Sequence, residues 1–169
     1  MQEIVLIAWG LVVAGQDFSK RKISNYLTLG VVIVGVLWLL LRGVSFNGQS
    51  VMSVILGLAV ASLLTIPGYV TKTLGAGDVK LLWAIAALCG LELMLGSFIV
   101  ASVSVGVIFL CSTGLNMFLQ YYGREWRPFY WNGQKRYIPF GTALGFGMII
   151  FVLKPDFLGI RGSLAWLWQ

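Results

Sequence analysis

Charged and polar side chains divide the chain into long apolar stretches, which run over roughly residues 1 to 17, 26 to 42, 51 to 71, 78 to 93, 96 to 119 and 138 to 153. A helix rises 1.5 Å per residue, so about 20 apolar residues cross a bilayer core. The pattern predicts an all-α, polytopic membrane protein, a bundle of six transmembrane helices. The run from Val79 to Leu119 is about twice the length of one span. Within it, Gly90, Glu92 and Gly96 in "CGLELMLG" predict a dividing turn.

Composition strengthens this reading. The 169 residues are 59% hydrophobic and 11% charged, with a mean hydropathy of +0.89, far from a soluble domain. That length suits a single integral-membrane domain over 1–169. Glu3 and the lack of a cleavage site make the first stretch a retained span rather than a signal peptide. Lys and Arg number 12 against 6 Asp and Glu. In a bilayer protein that excess reports topology and contact with anionic lipid, not nucleic acid. Nine of the 12 cations fall in the first, third and fifth joints between spans. The positive-inside rule puts those joints in the cytoplasm and both termini outside. Tyr121, Tyr122, Trp126, Tyr130, Trp131, Trp166 and Trp168 read as headgroup anchors.

The absence of histidine from the chain excludes Ser-His and Cys-His nucleophiles and removes the commonest metal ligand. Cys89 and Cys111 lie in apolar runs without metal-binding spacing and read as buried, unpaired thiols. No metal or cofactor is expected. Proton transfer is left to carboxylates or lysines.

Asp17 closes the first span and Asp78 opens the fourth, so parity places both on one membrane face, where a carboxylate is costly unless hydrated or used. Glu3, Glu92 and Asp156 fall on the other face. Glu125 lies between Arg124 and Arg127 in an ordinary solvated cluster. Each member of the pair also has a plain explanation: Asp78 as the N-cap before "VKLLWAIA", Asp17 as the point where the chain meets water. Together, two carboxylates around one water can share a proton and hydrolyse an amide. The helix dipoles favour charge on Asp78 over Asp17, making Asp78 the expected base.

Gly75 and Gly77 permit positive φ and close approach of an extended chain, or simply end a loop. Lys80, two residues beyond Asp78, faces away from it on a helix; it is either an interfacial anchor or a support for substrate and loop. Asn25 reads first as the cap of the second span, and otherwise as a hydrogen-bonding brace for a catalytic loop. Gly141, Gly145 and Gly147 fit close helix packing.

"GAGDVKLL" resembles the GxGDxKL motif of the prepilin peptidases, polytopic aspartyl peptidases of type IV pilus, type II secretion and Tad systems. "DFSKRKISNYLT" resembles their first motif, an aspartate followed by Ile-Pro-Asn and Leu-Thr, and "YIPFGTALGFG" resembles their last-helix motif. The resemblance implies that Asp17 and Asp78 are the catalytic pair. It also implies a substrate: a pilin-like precursor whose basic leader is cut off beside its hydrophobic helix. Two positions depart from the motifs. Ser24 and Thr142 stand where proline is usual. The longer members' cysteine-bearing N-terminal extension is not seen, so the short, Tad-like form without methyltransferase activity is expected. A presenilin-like intramembrane protease shares GxGD but needs a tyrosine before its other aspartate. A small acid-dependent transporter would need acids reaching both faces.

Overall fold

The structure is a computed structural model that describes residues 1–20, 22–72, 74–121 and 140–154. The described residues are predominantly helical. Helix α1 spans Gln2–Lys20; a π-helical turn, Tyr26–Gly30, runs into α2, Val31–Arg42; α3 is Val51–Val70, α4 Ala76–Tyr121 and α5 Phe140–Leu153. The only strand-like pairing among the described residues is an isolated bridge between Val44 and Ser50. By length and composition, α3 and the Ala76–Leu119 part of α4 qualify to cross a membrane, with shorter apolar helices at Tyr26–Arg42 and Phe140–Leu153. Residues Tyr122 to Pro139 and everything beyond Lys154 lie outside the description. With them go Glu125, Asp156 and all the expected aromatic anchors except Tyr121, which is exposed.

Local chemistry sets the helix ends. The α2 helix stops at Gly43, whose left-handed φ of 71° favours a residue without Cβ and whose N–H donates to the Leu39 carbonyl. The α3 helix starts at Ser50, whose side chain accepts from the Ser53 N–H. Ser53 in turn serves α4. At Gly90 the backbone leaves the helix, with φ 78° and ψ −171°, a region essentially confined to glycine. The Leu88 carbonyl released there accepts from the Asn47 N–H at 3.1 Å, and the Leu91 N–H donates to Ser53 Oγ at 3.1 Å. The expected interruption thus falls at Gly90, while Gly96 stays helical with the Phe151 ring packed directly on it.

The core is built around the first arm of α4, where Leu81, Leu82, Ile85, Ala86 and Cys89 are buried. Small residues let neighbouring backbones close in. A Cβ on Gly35 would come within 3.2 Å of Ala87, and one on Gly57 within 3.1 Å of the Leu91 nitrogen. On α5, a Cβ on Gly145 would meet the Gly10 carbonyl at 2.9 Å and one on Gly147 the Ser97 carbonyl at 2.7 Å, as the glycine spacing anticipates. Apolar side chains also face outward, among them Leu40, Leu41, Leu63, Val70, Leu110 and Met117, and apolar surface of this extent marks contact with lipid or with another protein. Cys111 is among the exposed residues, not buried as expected; Cys89 is buried.

Candidate active site

Asp17 lies in the last turn of α1, which runs on past it to Lys20. Its side chain turns inward and is 5% exposed. Oδ2 accepts from the Thr142 N–H at 2.7 Å and from Thr142 Oγ1 at 3.2 Å. Thr142 belongs to the first turn of α5, where N–H groups have no carbonyl partner within their own helix. A carboxylate from one helix therefore caps the start of another.

The α4 helix begins at Ala76 rather than after Asp78, so Asp78 is not the N-cap residue. It occupies the third helical position and reaches back, Oδ2 accepting from the Gly75 N–H at 3.1 Å, the geometry by which an acid at that position completes a capping box. Asp78 is 7% exposed. Gly75 and Gly77 do not serve by positive φ, which among the described glycines occurs at Gly43, Gly48 and Gly90. A Cβ on Gly77 would stand in ordinary contact with Ile23, 3.8 Å away, and the Gly75 main-chain N–H gives the Asp78 carboxylate its donor.

Both acids thus face the positive end of a helix: Asp78 that of α4, Asp17 that of α5. The dipole asymmetry expected between them is offset by the docking of α5 against α1, and it no longer singles out Asp78 as the base.

Ile23, in the loop after α1, joins the two regions. A Cβ on Gly141 would meet Ile23 Cδ1 at 2.7 Å and Asp17 Oδ2 at 2.9 Å, and the same isoleucine lies against Gly77. The two acids are therefore at one end of the bundle, on either side of Ile23. Ile23 is the isoleucine of the first motif, a signal the site residues expected from sequence did not use.

Lys80 and Asn25 pair. Lys80 Nζ donates to Asn25 Oδ1 at 3.0 Å, tying the loop of the first motif to α4. Asn25 makes no side-chain capping bond to the π-helical turn it precedes. The cap assignment is overturned, because the amide is drawn across to a charged donor. The loop is further held by Ser24, whose N–H donates to Gln16 Oε1 at 2.8 Å, and by Trp9 Nε1 donating to the Leu27 carbonyl at 3.1 Å.

The opposite end carries a cavity of about 280 Å³ lined by Gln2, Glu3, Asn47, Gln49, Glu92, Leu93, Phe151 and Val152. Glu3 and Glu92 meet there, away from Asp17 and Asp78. Between the ends lies a continuous apolar core that includes Leu6, Val13, Leu82, Ile85 and Met148.

A family model for the type IV leader peptidase family matches residues 4–110, more than half of the 169. The chain belongs to that family, which is one of aspartic-type peptidases. The match spans Asp17, the Ile23–Thr28 loop and Asp78 and stops short of α5. No curated protein and no solved structure matches the chain.

Proposed function

We propose that this protein is a membrane aspartyl endopeptidase that removes the leader of pilin-like precursors, with Asp17 and Asp78 as its catalytic acids. The observation that carries the reading is the burial of these two carboxylates at one end of an apolar bundle, each held through Oδ2 by a main-chain N–H. In the mechanism, like charges in one site favour a pair that keeps a single proton. The ionised member takes a proton from water as the oxygen attacks the scissile carbonyl, and the protonated member donates its proton to that carbonyl. Collapse of the gem-diol intermediate breaks the C–N bond as the acid that took the proton from water gives it to the leaving amine and the other carboxylate takes a hydroxyl proton from the intermediate, so the pair ends with one proton as it began. No metal is required by this chemistry.

The bundle crosses the bilayer six times in this reading, α4 contributing a span on each side of Gly90. The cation distribution puts the acid pair at the cytoplasmic face, both termini outside, and the exposed apolar side chains in lipid. A precursor whose basic leader stays in the cytoplasm while its hydrophobic helix enters the bilayer presents its junction at that depth. Gly141 lets Ile23 and the Asp17 carboxylate pack directly against the start of α5.

The test is cleavage of a precursor with a short basic leader and an apolar helix by the full chain in lipid nanodiscs, with the product mass measured. Wild-type cleavage at the leader junction, lost in Asp17→Asn and Asp78→Asn variants that retain the native melting curve, is the expected result. Cleavage that survives either substitution ends the proposal.

A further inference from the structure

Two main-chain N–H groups reach consecutive residues of α1 from different parts of the fold. Ser24, in the loop, donates to Gln16 Oε1 at 2.8 Å, and Thr142, on α5, donates to Asp17 Oδ2 at 2.7 Å. Successive residues on a helix point about 100° apart, so the bonds grip the last turn of α1 from two sides. The Thr142 hydroxyl adds a third contact, lying 3.2 Å from both Asp17 Oδ2 and the Ala14 carbonyl. Ala14 and Asp17 are three residues apart and share a face of α1. Of these two acceptors the carboxylate is the stronger.

We propose that Thr142 and Ser24 are positioning residues that clamp the end of α1 and fix which oxygen of Asp17 is presented to the reacting peptide. The proposal rests on the reading of Asp17 as a catalytic acid. Both Thr142 donors converge on Oδ2, and among the described residues Oδ1 accepts no hydrogen bond. Oδ1 is therefore the oxygen left for water and proton transfer. Proline could make neither main-chain bond, since it has no N–H. At the two places where this chain departs from the prolines of the motifs it resembles, the N–H gained is the one that bonds. Hydrogen bonding here takes over the task of ring stiffness.

The hydroxyl and the methyl of Thr142 can be separated by substitution. Thr142→Val keeps shape and N–H but removes the O–H; Thr142→Ser keeps the O–H and loses the methyl; Thr142→Pro removes the N–H. With the full chain in nanodiscs and the same precursor, Thr142→Val is expected to lower kcat about tenfold at unchanged KM, with Thr142→Ser close to wild type; Thr142→Pro should lose roughly 100-fold. Gln16→Leu, which strands the Ser24 N–H, is expected to lose about threefold. A readout independent of cleavage is the infrared carboxylate band of Asp17, isolated by difference from Asp17→Asn. It should move in Thr142→Val and Thr142→Pro and stay in place in Thr142→Ser.

A Val variant equal to wild type beside an impaired Ser variant would show that Thr142 only fills space, and an unmoved band in Val and Pro would remove the clamp. A wild-type Gln16→Leu enzyme would remove the Ser24 arm. If Asp17→Asn still cleaves, the assignment of Asp17 as catalytic fails and the proposal falls with it; the band shifts then separate that outcome from a bond that never formed.

Discussion

The two ends of the bundle both bury acid, and they treat it differently. At one end Asp17 and Asp78 each accept a main-chain N–H on Oδ2, and the space around them is filled by Ile23 and two glycines. At the other, Glu92 is just as buried, but it lines an open cavity with Glu3 beside the break at Gly90. That cavity is therefore not where the two directed carboxylates are. A peptide bond is cut by groups held in one orientation, and orientation here comes from helix starts that need an acceptor. A cavity gives volume without direction. For the substrate we propose, a helix entering from the membrane, a deep pocket is not needed.

This contrast is open to direct attack. The largest effect is expected from Asp17→Asn and Asp78→Asn, which should each lower kcat about 10²- to 10⁴-fold, with Glu3→Gln and Glu92→Gln leaving precursor cleavage unchanged. Equal losses from the two pairs would erase the distinction between the ends. Next comes Gly141→Ala, whose Cβ would press on Asp17 Oδ2 and Ile23 Cδ1. A displacement near 1 Å should reduce kcat roughly 100-fold with only a small fall in melting temperature.

Gly90→Ala should do the reverse. Its φ of 78° and a new Cβ 2.6 Å from Ser53 Oγ should destabilise the fold by about 1 to 3 kcal/mol, read as a lower melting temperature, with per-molecule activity retained at low temperature. The smallest effect is expected at the exposed hydrogen bond between Lys80 and Asn25. Lys80→Met and Asn25→Ala should each lose about threefold in kcat, and the double variant should lose no more than either alone, the mark of one shared bond. Additive losses would mean that the two side chains act separately.

Several of these positions were legible before any fold was known. The apolar runs located the helices because hydrophobic length is a property of the chain alone, and Gly90 announced a break because its neighbours interrupt a stretch too long for one span. The carboxylates stood out because acids are scarce in apolar sequence. The partners of Asn25 were not legible. A residue just before a helix ordinarily caps it, and only the arrival of Lys80 from α4 redirects the amide. Cys111 was misjudged for a related reason, since an apolar stretch does not say which of its faces turns outward. The dipole argument for Asp78 as base failed because it counted only the helix each acid belongs to, and the start of α5 beside Asp17 is a tertiary fact.

From the order of residues alone came the helical class, the approximate helix limits, the family resemblance and the choice of the two acids as candidates, all of which depend on local composition and spacing. What only the folded chain decided was how those acids are held. Thr142 and Asp17 are 125 residues apart, and no local rule pairs them. The bond exists because glycines bring α5 close to α1, and because a helix start without carbonyl partners then finds a carboxylate in the way.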